Sequence, residues 1–398
     1  MQSNSCTGMH LRQRRLSMRF FHIADLHLGK KLLGESLLED QRYILDNVLL
    51  EIKKEQPQGI LIAGDIYDKS IPSGEAVVLF DSFLERLAEA GLEIFIISGN
   101  HDSPERLDFA KNLLAKNKVH IAGGFKGELP HTVLCDEWGE LTVWQMPFIK
   151  PAVLRPYTEE SPETYEEAVS AVLRTAEIDS RKRNILLAHQ YVVWQGEKPL
   201  PSASEQLSLG GLEQVDASCF DAFDYVALGH IHRPQKIGRP EVRYAGSPLK
   251  YSFSEIHHKK AITVVDIEEK GQVSLRKLPL APLHEMAVLR GTMEELTGEA
   301  YREYRSGYYL SVVLTDEQPV EQPVEKLREY FPGLLEFAVD NARTRERKES
   351  GLKTEQILLR TPRELFQEFY KKQNHVEMSP AEKRILEEVL QRVGEHVL

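Results

Sequence analysis

Three short apolar runs, Met18 to Ile23, Gly59 to Ala63 and Leu92 to Ile97, alternate with two stretches of helical spacing. No other feature restricts the fold as much. The runs are β-prone and bordered by polar residues or glycine, the pattern of strands buried on both faces. Between them, Leu37 to Lys54 and Glu75 to Ala90 repeat apolar residues at helical intervals, the second around Val78, Leu79, Phe83 and Leu87. Strand, helix, strand, helix, strand implies a parallel sheet with right-handed crossovers. Two more runs of the same kind, Asn184 to Leu187 and Tyr225 to Leu228, follow downstream.

Each of the five runs ends in residues that carry chemistry: Asp25-Leu26-His27, Gly64-Asp65, Gly99-Asn100-His101-Asp102, Ala188-His189-Gln190 and Gly229-His230-Ile231-His232. Ligands of open α/β sheets collect beyond the carboxyl ends of the strands, where all five segments fall. Asp25 and His27 are two apart on a strand end, so both side chains are expected on one side. Asp65 is a carboxylate able to bridge two cations, with Gly64 permitting close backbone approach. Asn100, His189, His230 and His232 add neutral oxygen and nitrogen donors. Mixed imidazole, carboxylate and amide ligation suits Mn²⁺, Fe or Zn²⁺ better than calcium. His101 follows Asn100 directly and is left free to face a substrate, with Asp102 expected to hold its ring. Singly, each piece has a plain reading: Asn-His caps the helix at Ser103-Pro104, or His189 is a core histidine. The conjunction, in this order and after these runs, reads as a two-metal phosphoesterase site.

The order Asp-x-His, Gly-Asp, Gly-Asn-His-Asp, His, Gly-His-x-His resembles the calcineurin-like metallophosphoesterase superfamily. More narrowly, residues 22–29, 63–68, 98–106 and 228–232 with Gly246-Ser247-Pro248 resemble the SbcD family, the nuclease subunits of bacterial SbcCD complexes. The resemblance implies an α/β fold: a metallophosphoesterase sheet sandwich flanked by helices, with a small α+β capping domain and a C-terminal helix pair. It implies two divalent ions, Mn²⁺ foremost, one held by Asp25, His27, Asp65 and His232 and the other by Asp65, Asn100, His189 and His230. His101 would be the catalytic histidine. Asp68 and Gln190 lie beside these ligands as supporting candidates. The implied activity is 3′-to-5′ exonuclease and hairpin endonuclease action on DNA, under control of an SbcC-type ATPase, in a heterotetramer built on a homodimer. A phosphoesterase acting on cyclic nucleotides or phosphoproteins is the first alternative, and a scaffold that has lost catalysis is the second.

Charge complicates the DNA reading. The chain of 398 residues carries a formal net charge of −11, unlike a protein that wraps DNA in basic surface. Affinity for DNA must then come from the ions, from local groups such as Lys30, Lys31 and Arg233, or from a partner. Only Cys6, Cys135 and Cys219 occur, an odd and widely spaced set that implies no disulfide framework. No stretch reaches the length of a membrane span, and residues 1–17 lack an apolar signal core, so the expected compartment is the cytoplasm.

The expected organisation sets residues 1–17 aside as an extension or cloning remnant and assigns 18–280 to the nuclease domain. Within that domain Ala261 to Ile267 and Val273 to Leu278 read as a hairpin. Residues 281–340 form the capping domain, with strands at Met286 to Leu289, Tyr308 to Leu314 and Leu334 to Val339 and helical stretches at Met293 to Tyr304 and Val320 to Tyr330. Residues 341–353 are a charged linker. Residues 354–398 hold two helices opened by the capping boxes Thr361-Pro-Arg-Glu364 and Ser379-Pro-Ala-Glu382. Their stripes, Leu365, Phe366, Phe369 and Tyr370 in one and Ile385, Leu386, Val389 and Leu390 in the other, fit either their own core or the groove of an ATPase partner.

Overall fold

The computed structural model describes residues 17–158, 161–205, 213–345, 366–367, 370–371 and 376–394. Two six-stranded sheets form a sandwich. In the first, Met18–Ile23, Gly59–Ala63, Glu93–Ile97 and Val119–Ala122 run parallel, and the antiparallel pair Ala261–Ile267 and Val273–Pro279 extends it beside Met18–Ile23. The second has the order Gln235–Ile237, Arg239–Tyr244, Tyr225–Gly229, Arg183–His189, Gly139–Met146, His131–Asp136, with its four central strands parallel.

The apolar runs have no polar face because they are covered on both sides. Phe20, Leu61, Phe95, Ile185, Leu187 and Ala227 fill the space between the sheets. The alternate residues Phe21, Ile60, Ile62 and Ile96 meet helices Leu38–Glu55 and Gly74–Glu89 through Ile44, Val48, Leu79 and Phe83. On the far side, Leu186, Val226 and Leu228 meet helix Tyr165–Thr175 through Val169 and Val172. That helix begins with a complete Thr164–Glu167 capping box. The strands of the second sheet on either side of the two histidine-bearing runs were not foreseen, because their pairing is with residues distant in the chain.

Residues 285–339 build a separate parallel three-stranded sheet, Glu285–Gly291, Tyr308–Leu314 and Leu334–Val339, with its own core around Leu296, Leu310, Val312, Leu327 and Phe331. The expected long helix after Met293 is instead helix Met293–Thr297 followed by a 3₁₀ stretch, Glu299–Arg305, the break falling at Gly298. This unit is fastened to the first helix through Asp40, which accepts from His284 N at 3.1 Å and from Tyr309 Oη at 2.8 Å.

Of the C-terminal helices, Pro380–Gly394 is described, and its Ser379–Glu382 box forms as read. The Thr361 box, Leu365 and Phe369 lie outside the described residues. Leu386 is buried while Ile385 and Val389 stay exposed, so these members of the expected stripe do not share one face. Cys219 is free. Among the described residues no helix is long and apolar enough to cross a membrane.

Candidate metal centre

All five segments meet at one end of the sandwich, just past the carboxyl ends of strands from both sheets. Asp25 and His27 follow Met18–Ile23, Asp65 follows Gly59–Ala63, and Asn100 and His101 follow Glu93–Ile97. His189 closes Arg183–His189, and His230 and His232 follow Tyr225–Gly229. Donor atoms converge in two groups. In one, His27 Nε2 lies 3.1 Å from His232 Nε2, and one donor atom each from Asp25, His27 and His232 fall within 4.8 Å of one another. In the other, Asn100 Oδ1 lies 3.1 Å from His189 Nε2 and 2.9 Å from His230 Nδ1. Asp65 Oδ2 stands between the groups, 3.6 Å from His27 Nε2 and 3.4 Å from His189 Nε2. Donors about 3 Å apart are what neighbouring ligands of one ion with bonds of roughly 2.1 Å require.

The backbone is bent to achieve this. Asp25, His27, Asp65 and His230 all have positive φ, at 55°, 44°, 50° and 102°. Such strain on non-glycine residues persists only where surrounding structure holds it, and it clusters at functional sites. Asp25 and His27 therefore converge through a left-handed loop whose middle residue, Leu26, is buried, and not through strand alternation as expected. The flanking glycines are steric requirements. A Cβ on Gly64 would collide with His189 Nδ1, and one on Gly99 with the Asp65 carboxylate.

The donor set fits divalent ions. Asp25 Oδ2 and His27 Nδ1 are buried without a hydrogen-bond partner, and an unpaired buried carboxylate oxygen is costly unless a cation compensates it. His189 Nδ1 donates to Ala63 O at 2.8 Å, which leaves Nε2 as the donor atom facing the site. His232 is held from behind: its Nδ1 lies 2.8 Å from Ser204 Oγ, which donates to Glu255 Oε1 at 2.5 Å. Lys260 Nζ completes this buried group with bonds to His232 O at 2.9 Å, Ser247 Oγ at 2.7 Å and Glu255 Oε2 at 2.6 Å. Gln41 steadies the loop by accepting from Gly29 N at 2.9 Å and donating to His27 O at 2.7 Å. Sequence reading missed Gln41, Ser204, Glu255 and Lys260, which carry no local motif; of this support only Ser247 lay in one.

His101 and Asp102 part company. Asp102 accepts from Ile66 N at 3.1 Å, Tyr67 N at 3.0 Å and Gly99 N at 2.9 Å, so it ties the Asp65 loop to the Asn100 loop and does not hold the His101 ring. That ring is held by Asp68, whose carbonyl oxygen accepts from Nδ1 at 2.9 Å. A carbonyl can only accept, so Nδ1 carries the proton and Nε2 is free to act. The Asp68 carboxylate receives Lys30 Nζ at 2.8 Å and lies 3.6 Å from His27 Nδ1. Gln190 donates to Ile149 O at 3.3 Å, away from the donor cluster.

Burial shapes the charges. It holds His27 well below its usual range and His230 at about 3, both therefore neutral and able to offer a lone pair to an ion, with neighbouring imidazoles adding to the effect. It raises Asp25 to about 8, with Asp65 adding and His189 opposing, and it raises Asp102, with Asp65, to about 6. At His189 burial opposes protonation, but Asp65 and Asp25 reverse that and lift it to about 9. For Asp65 burial is overcome by His189 and His27, and its pKa falls. Without ions, Asp25 and His189 thus retain protons at neutral pH, and to hold an ion they would have to shed them. Mn²⁺ affinity is expected to strengthen as pH rises toward about 9, with protons released near pH 7. Titration calorimetry in two buffers of different protonation enthalpy reads this; affinity independent of pH, with no proton released, would contradict it.

Comparison with known proteins shows the family. Residues 18–234 match the family model of calcineurin-like phosphoesterases, and residues 282–374 match that of the type 5 capsule protein repressor C-terminal domain. The SbcD subunit of nuclease SbcCD from Staphylococcus epidermidis is 36% identical over 322 residues, spanning 80% of this chain and 84% of that protein. Among solved structures, TT1561 of Thermus thermophilus is similar at TM-score 0.38 and 14% identity, over 66% of this chain and 99% of that one. A dimetal phosphatase from Danio rerio is similar at TM-score 0.39 and 12% identity, over 66% of this chain and 98% of that one. With a family model spanning residues 18–234 and a relative aligned along most of both lengths, the chain belongs to the calcineurin-like phosphoesterase family and, within it, to the family of SbcD nuclease subunits.

Proposed function

We propose that this chain is a metal-dependent DNA nuclease, a 3′-to-5′ exonuclease and hairpin endonuclease acting with an SbcC-type ATPase in DNA repair and recombination in the cytoplasm. The observation that carries the reading is the place of Asp65 Oδ2, within 3.6 Å of His27 Nε2 and 3.4 Å of His189 Nε2, between two complete donor groups. Asp25, His27, Asp65 and His232 hold one ion and Asp65, Asn100, His189 and His230 the other, with Mn²⁺ favoured by the mixed donors. Bound there, two such ions would supply an activated water and neutralise charge on the phosphodiester.

The remaining work falls to the chain. His101, oriented by the Asp68 carbonyl, presents Nε2 toward the substrate and, when protonated, delivers a proton to the leaving 3′ oxygen. Lys30 adds positive charge beside it, partly neutralised by Asp68. Asp102 and Gly99 keep the two loops at the spacing this requires. A labelled hairpin DNA is the test: cleavage is expected with Mn²⁺, rising with the ATPase and ATP, and abolished by EDTA. Hydrolysis of phosphoproteins or cyclic nucleotides with no DNA cleavage would overturn the substrate assignment.

Exposed apolar surface supports the partner reading. Val77 and Val78 on helix Gly74–Glu89 and Phe109 and Leu113 in the next crossover are exposed, on the same outer side of the first sheet, and support a homodimer. Ile385 and Val389 form a free apolar face on the C-terminal helix, which supports docking to the ATPase. Replacing both by Asp is expected to abolish co-purification with the ATPase, because two charges cannot enter an apolar groove without a cost of several kcal/mol. Light scattering of the pure chain reads the dimer. Full recovery of the ATPase by the Ile385→Asp, Val389→Asp chain would remove the helix from the interface.

A further inference from the structure

A cavity of about 700 Å³ opens where the three-stranded unit joins the sandwich, within the size range of small-molecule sites. Its apolar walls come from both units: Leu37 and Leu249 on the sandwich side, Met286 and Tyr309 on the other. Residues 279–282, the crossing between the units, form part of its rim.

The cavity lining holds four lysines, Lys250, Lys259, Lys260 and Lys277, beside the carboxylates of Asp40 and Glu285. Lys250 pairs with Glu285, and Lys260 with Glu255 at 2.6 Å, but among the described residues Lys259 and Lys277 form no ion pair. Arg243 lies close enough to Lys277 to depress its pKa further after burial has done so, and Arg243 Nε is itself buried without a partner. The chain carries 61 acidic against 50 basic residues, so lysines left unpaired in the lining of a cavity are not the result of a shortage of carboxylates. Such a field costs stability unless an anion enters it.

We propose that this cavity binds an organic phosphate of nucleotide size, its phosphate held by Lys259 and Lys277 and its base laid against Leu249, Met286 and Tyr309. Charge-assisted bonds to the two lysines give affinity, and the apolar walls select a planar organic group over inorganic phosphate. Because the walls belong to both units, occupation fixes their mutual position. The occupied cavity also touches Lys260, which donates to His232 O, so the site reaches the support of a metal-ligand histidine.

The test uses the full chain treated with EDTA, so that ions do not draw phosphate to the metal centre and no hydrolysis is involved. Calorimetry with dAMP is expected to give saturable binding, weakened roughly tenfold or more for adenosine and for Lys259→Glu with Lys277→Glu. Neither lysine is packed in the core, so these variants should fold and melt no lower than the parent. Met286→Trp, which fills the cavity and keeps the lysines, should block binding as well. A 5′-phosphorylated hexanucleotide distinguishes the sources: tighter binding than dAMP assigns the cavity to a strand end, weaker binding to a free nucleotide. No dAMP binding at millimolar concentration, adenosine binding as tightly as dAMP, or binding unchanged by both charge reversals would overturn the proposal while leaving the nuclease reading intact.

Discussion

Asp65→Asn is expected to strip both ions from the protein together, with loss of all measurable phosphodiester hydrolysis. The substitution keeps an oxygen where His101 N donates to Asp65 Oδ1 at 2.9 Å. It places an amide NH₂ where Oδ2 faces His27 and His189, and an NH₂ group has no lone pair to offer an ion. It also removes the carboxylate whose charge balances the cluster, in a site too buried for water to compensate. The loss should exceed the roughly 10- to 100-fold typical of an outer-sphere partner, because a shared ligand fails twice. His27→Ala, by contrast, should chiefly weaken one ion. Elemental analysis of both variants after gel filtration decides the matter. Two ions per chain in Asp65→Asn would refute the bridging assignment.

The second large effect is at His101. His101→Ala should yield a folded, metal-loaded chain whose turnover on DNA falls by roughly 10²- to 10⁴-fold, the usual worth of a positioned acid. Among the described residues the ring makes one hydrogen bond, to Asp68 O, and it meets His27 edge to face with centroids 4.8 Å apart, so its removal leaves every proposed ligand in place. Since the loss falls on the transition state, kcat should drop and KM move little. Asp102→Asn should behave differently. Asp102 ties the Asp65 loop to its own through the N–H groups of Ile66, Tyr67 and Gly99, so its loss should lower metal retention and melting temperature along with rate. Near wild-type DNA cleavage by His101→Ala would remove it from the reaction.

The contrast between these neighbours shows where sequence reading stops. Gly99-Asn100-His101-Asp102 was recognisable as a unit, and a carboxylate beside a histidine suggested that one orients the other. Adjacent residues of a tight loop point different ways, and the tertiary structure hands the His101 ring to a backbone carbonyl 33 residues upstream. Likewise, Asp25 and His27 were expected to converge by strand alternation, but they converge because positive φ at both turns the chain, with Leu26 buried between them.

What the sequence determined by itself is local in origin. Runs of apolar β-prone residues set the strands, helical spacing set the crossovers, and glycine and ligand residues at strand ends set the chemistry, because each depends on residues a few positions apart. Met18–Ile23, Gly59–Ala63 and Ala261–Ile267 begin and end where the pattern places them. Only the tertiary structure decided which strands stand side by side, such as Ala261–Ile267 next to Met18–Ile23 across more than two hundred residues. It alone brought Ser204, Glu255 and Lys260 behind His232, turned Leu386 inward and Ile385 outward, and enclosed a cavity between the two units. These depend on contacts between segments far apart in the chain. Their free energy comes from burial shared among many residues, so no single stretch of sequence carries it.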